Sequence, residues 1–101
     1  MTRVVLVPKA RAELNAITRY YRREAGQEVE GRFLDEFRRA TTLLQQHPEA
    51  APAAGPEGVR KKVLAGSFHF SFWYVVLPDR LRILAIRHQR RKPGEEVAPR
   101  R

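Results

Sequence analysis

The chain has 101 residues, 43% of them apolar and 31% charged, with a formal net charge of +9 and no cysteine. That length suits one domain with a single core, and the apolar fraction is too high for a disordered polycation. The absence of cysteine excludes disulfides and thiolate metal sites, and the opening run Met1-Thr-Arg-Val-Val-Leu-Val-Pro8 is too short for a signal peptide or a membrane span, so a cytoplasmic protein is expected.

The charge is unevenly placed. Residues 1–56 carry nine Lys/Arg against seven Asp/Glu, whereas residues 57–101 carry eleven against four. The first half therefore reads as scaffold, and the second carries the field that would steer an acidic partner.

In chain order, Arg3 to Val7 is a β-branched run that predicts a strand, ended by Pro8, which suits the first turn of a helix. Ala10, Leu14, Ile17 and Tyr21 then recur at helical spacing, and Gly26 is a natural stop. A second helix opens near Gln27 or Glu28, with acidic residues in its first turn. Phe33, Phe37, Ala40 and Leu44 form its apolar stripe, and it ends at His47-Pro48. So short a link between helices predicts an antiparallel hairpin.

Glu49 to Gly58 has no periodicity and predicts a loop. A cationic strand follows over Gly58–Ala65, then a turn at Gly66-Ser67. Phe68 to Leu77 places aromatics at 68, 70, 72 and 74, the alternation of a strand with one buried face. A tight turn at Pro78-Asp79 leads into a last strand from Leu81 to Arg87. The expected fold is α+β in the order β-α-α-β-β-β: an antiparallel sheet with the helical hairpin on one face. Residues 1–94 form the domain and 95–101 a frayed tail. Phe68, Phe70, Phe72 and Tyr74 are expected to meet Phe33, Phe37 and Leu44 in the core. Trp73, on the other side of the strand, is the one aromatic with a fair chance of facing a partner.

None of the phosphate-loop, dinucleotide, zinc-protease or serine-hydrolase motifs is present. His47, His69 and His88 are the only histidines, none at ligand spacing with another, so neither a metal nor another cofactor is expected. The sharpest constellation is Arg87, Arg90, Arg91 and Lys92, set at the end of a strand with His88 among them and closed by Pro93-Gly94; Arg60, Lys61 and Lys62 on the cationic strand join them as candidate binding residues. Guanidinium forks suit carboxylates and phosphates alike, so the patch fits an acidic protein segment or a nucleic acid. Metal-free RNA cleavage would need an acid/base such as His88, with Arg60, Lys62 and Arg82 around the phosphate. A neutral His88 that shapes the strand end is the plainer reading.

The order of these pieces resembles the RelE/ParE superfamily of bacterial type II toxins, and within it the ParE branch. Val7-Pro-Lys-Ala-Arg-Ala-Glu-Leu14, Leu43-Leu44 running into His47-Pro48, the strand from Gly58, the aromatic strand through Trp73-Tyr74, and Ile83-Leu-Ala-Ile-Arg-His-Gln-Arg-Arg-Lys-Pro93 carry the resemblance. It implies a toxin neutralised by a cognate ParD-like antitoxin that wraps it, with DNA gyrase as target in the ParE branch and ribosome-bound mRNA in the RelE branch. The RelE branch usually has a catalytic Tyr near the end of the last strand. No tyrosine follows Tyr74 here, which favours a gyrase inhibitor without catalysis of its own. The other readings are an mRNA endonuclease and a plain nucleic-acid-binding module.

Overall fold

Helix and strand boundaries follow from a few residues. The computed structural model describes residues 2–64, 66 and 68–88. Strand β1 spans Arg3–Leu6, and Pro8 sits at the start of helix α1 (Pro8–Ala25), where a missing N–H costs nothing. Ala10, Leu14, Ile17 and Tyr21 all turn to the core. Gly26 separates α1 from α2 (Gln27–Gln46): its φ of +91° is open to glycine, and its N–H donates to the Arg22 carbonyl at 3.1 Å. An ion pair from Arg22 to Glu30, 3.0 Å, spans the bend. Helix α2 closes at His47, held out of the helical region by the proline that follows.

Strands β2 (Arg60–Val63), β3 (Phe70–Val76) and β4 (Arg80–His88) form an antiparallel meander, and the sheet order is β1-β4-β3-β2. The β3–β4 hairpin is closed by the Leu77 N–H donating to the Arg80 carbonyl at 2.8 Å. The α+β architecture and the helical hairpin are as expected, but the sheet is mixed, because β1 lies parallel to β4. The reason lies in the path of the chain. Glu13 on α1 reaches Ile86 near the end of β4, whereas Gln45 at the end of α2 donates to the Thr2 carbonyl beside the start of β1. The hairpin thus returns the chain to the end where β1 began, and β2 and β4 run the same way as β1.

The sheet has a core on each face. On the helix side, Phe33 contacts Phe68 and Phe70 with ring centroids 5.5 and 5.4 Å apart, and Phe37 meets Phe72 at 5.4 Å, mostly edge to face. Val59, Trp73, Val75, Leu84 and Ala85 make a second, smaller cluster on the far side, flanked by Ala54 and Leu77. The 48–59 loop supplies part of that cover. It is tied down by hydrogen bonds from Ala54 N–H to the Val59 carbonyl, 2.9 Å, and from Lys61 N–H to the Pro52 carbonyl, 3.1 Å.

Tyr74 fixes the same loop from beneath. Its buried hydroxyl donates to the Pro48 carbonyl at 2.7 Å, and burial raises its pKa above the usual 10.0. Tyr74→Phe is expected to cost about 1–2 kcal/mol, since a carbonyl loses its donor in a part-buried site. The folded state favours the neutral phenol, so this stabilisation is complete below pH 10 and is lost as pH rises through the folded pKa. Thermal unfolding of both proteins from pH 7 to 11 should therefore show the gap between them shrinking above pH 10.

Candidate functional site

Alternation along β3 sends Ser71, Trp73 and Val75 to the face away from the helices. In register with them stand Val63 and Arg87 beside Ser71, Lys61 and Ala85 beside Trp73, and Arg82 beside Val75. Two cations converge on the indole: Lys61 Nζ and the Arg87 guanidinium carbon each lie 5.3 Å from its ring centroid. The attraction of the ring's negative face is worth about 0.5–1 kcal/mol per cation at an exposed site. It holds two long, otherwise mobile side chains in a defined array.

The array depends on an irregularity in β4. Trp73 pairs with Ala85, but Tyr74 pairs with Ile83, so Leu84 is an extra residue opposite that step. Leu81 and Ile83 face the helices. Strict alternation would then have turned Arg87 toward them too; the bulge flips the parity and delivers Arg87 to the far face above Trp73. The Ser71 side chain is 1% exposed, and its Oγ has no hydrogen-bond partner among the described residues. It is a spare hydroxyl in register with Arg87.

Trp73 faces away from the helices, as read from the sequence, but it offers no free ring. At 2% exposure it is packed into the far-side cluster and covered by Lys61 and Arg87. The far face therefore presents charge rather than a stacking platform.

The remaining sequence-selected residues are divided. Arg60 lies in register with Tyr74, and its guanidinium donates to the carbonyls of Ala51 at 2.7 Å and Glu49 at 3.2 Å, an architectural task. Lys62 pairs with Phe72 and lines a cleft against α2 with Glu36, Arg39 and Leu43. Gly66 closes that end with φ +103°, and a Cβ there would collide with the Glu36 carboxylate. His88 pairs with Phe70 and meets it edge-on at 4.8 Å, in a cleft of about 760 Å³ on the helix side with Tyr20, Tyr21, Arg32 and Phe68. Arg82, in contrast, is on the far face. His88, Arg60, Lys62 and Arg82 thus point to different places and do not surround a common phosphate. Arg90, Arg91 and Lys92, and the tail at 95–101, lie outside the described residues. Among the described residues no group of His, Asp and Glu has the arrangement of a metal site, and no helix is long and apolar enough to cross a membrane.

The family model described as the ParE toxin of the type II toxin-antitoxin system parDE matches residues 4–93. The chain belongs to the ParE toxin family. Among solved structures it is similar to a chain of the chromosomal ParDE toxin-antitoxin system from P. aeruginosa. Identity is 28%, the TM-score is 0.72, and the match covers 87% of this chain and 96% of that one. No curated protein matches. The helical hairpin on a four-stranded mixed sheet is in keeping with that assignment.

Proposed function

We propose that this ParE-family chain is the toxin of a type II pair that inhibits DNA gyrase, and that a cognate ParD-like antitoxin holds it inactive in the cytoplasm. The observation that carries the reading is the pair Lys61 and Arg87, set over Trp73 from the two strands, β2 and β4, that flank β3. Preorganised cations on a rigid sheet bind a macromolecular surface at low entropic cost and need no chemistry of their own. Arg90, Arg91 and Lys92 follow Arg87 after His88 and Gln89 in sequence and add to the positive charge of this part of the chain.

An acidic antitoxin segment complements a chain of net charge +9. The two edge strands offer it backbone to pair with, and each carries an exposed valine, Val5 at 38% and Val63 at 48%. Without that partner, such edges predict a chain prone to self-association.

The reading is tested by titrating the purified chain into a gyrase supercoiling assay, with and without the antitoxin, and by sequencing transcript ends in arrested cells. Supercoiling is expected to fall and to recover with antitoxin, with transcripts intact. Cleaved transcripts together with unaffected supercoiling would overturn it in favour of an endonuclease.

A further inference from the structure

Strand β4 runs from Arg80 to His88, but β1 pairs with it only from Arg80 to Ile83. The last bond from that side is the Val7 N–H to the Ile83 carbonyl, 3.0 Å, after which the chain leaves the sheet to begin α1. From Leu84 onward, among the described residues, β4 has no strand on its outer side. This open half contains both the bulge and Arg87.

An open ladder edge leaves backbone N–H groups to be satisfied by something else. One contact does this here. Glu13, half-buried on the second turn of α1, reaches across with its carboxylate, and Oε1 accepts the Ile86 N–H at 3.1 Å. The partners are 73 residues apart in sequence, so the bond ties the start of the helical hairpin to the end of the last strand. Ile86 directly precedes Arg87, and a charge-assisted bond at that point stands in for the missing strand.

We propose that Glu13 is a positioning residue of the toxin site: by anchoring Ile86 it keeps the end of β4 in the sheet and so holds Arg87 over Trp73. The inference rests on the far face being the working surface, as argued above, but its physical content can be read without gyrase. Trp73 is the one tryptophan of the chain, so its emission reports directly on the cations above it.

The experiment uses the full chain with three substitutions. Glu13→Ala removes the acceptor, Glu13→Asp keeps the charge but shortens the arm by one carbon, and Glu13→Gln keeps an acceptor oxygen at the same reach. Each is compared with wild type by circular dichroism, Trp73 emission and iodide quenching, amide exchange at Ile86, and growth arrest on induction. In Glu13→Ala and Glu13→Asp, Ile86 exchange is expected to quicken roughly tenfold, the scale of one lost backbone bond at a strand edge. Trp73 emission should shift and growth arrest weaken, while the circular dichroism spectrum is unchanged. Glu13→Gln should restore all three. A purely structural role would lower stability in Glu13→Ala and Glu13→Asp without selectively moving Trp73, and that outcome would overturn the proposal. So would full toxicity in a variant whose Trp73 signal has moved. If Glu13→Ala does not fold, Glu13→Asp carries the comparison. A wild-type chain with no effect on gyrase would sink the target reading alone, because the Trp73 and Ile86 signals decide the positioning claim separately.

Discussion

Phe33→Ala is expected to lower the thermal midpoint by roughly 15–30 °C, measured by circular dichroism or calorimetry at neutral pH. Phe33 is fully buried, and its ring lies within 5.5 Å, centroid to centroid, of Tyr21, Phe68 and Phe70. Together with Tyr21 it joins α1, α2 and the segment leading into β3. Truncating a buried Phe costs about 3–5 kcal/mol, through lost transfer energy and the cavity left behind. A domain of this size has only about 5–15 kcal/mol to lose, and each kcal/mol corresponds to about 4–8 °C. The neighbouring Tyr20, 52% exposed, sets the control, since Tyr20→Ala should stay within about 0.5 kcal/mol of wild type. A Phe33→Ala protein melting within 5 °C of wild type, on this scale about 1 kcal/mol, would show that the sheet holds together without the hairpin.

Phe33 also illustrates which parts of the fold are legible in the sequence. Its stripe with Phe37, Ala40 and Leu44 repeats at helical period, and the facing aromatics of β3 repeat at period two, so both sides of the main core announce themselves locally. What local pattern does not carry is pairing between distant segments. The parallel contact of β1 with β4 joins residues near 3 to residues near 80, and nothing in either strand distinguishes a parallel neighbour from an antiparallel one. The far-side core is hidden for a related reason. Part of its cover comes from Ala54 and Val59 in an aperiodic loop, so Trp73 looks outward by alternation yet is buried.

The candidate site was half visible. Arg87 and Lys61 stand out by charge, but so do Arg60 and Lys62, and only the register separates them. Arg60 spends its guanidinium on two loop carbonyls and Lys62 turns toward α2. The bulge at Leu84 reverses the parity of every later residue in β4. An uninterrupted run such as Ile83-Leu-Ala-Ile86 gives no sign of it, because each of the four residues is apolar and buried. A one-residue insertion therefore decides whether Arg87 belongs to the helix-side core face or to the far face.

Reversing both cations in Lys61→Glu/Arg87→Glu is expected to abolish growth arrest and to weaken gyrase inhibition about a thousandfold, with the fold retained. Two effects act together. Each residue, if it is an interface hot spot, is worth about 2 kcal/mol, and every 1.4 kcal/mol is a factor of ten. The change also replaces two positive charges by two negative ones on the far face, which on the proposed reading slows association further. Because both side chains lie over the ring rather than under it, stability should fall only by the modest cation–π contribution, about 1–2 kcal/mol for the pair. Arg38→Glu is the matched control: it reverses a charge on α2, where Arg38 pairs with Asp35 on the exposed helix surface at 3.4 Å. If total charge were what matters, this variant and a single reversal at Arg87 would weaken inhibition alike. If the array over Trp73 matters, Arg38→Glu should leave inhibition within about twofold of wild type, a few tenths of a kcal/mol, while Arg87→Glu removes most of it. Raising the salt from 50 to 200 mM should weaken the wild type and leave the double variant almost unaffected, since the screened attraction is already gone. A double variant that still arrests growth as wild type does would remove the far face from the site altogether.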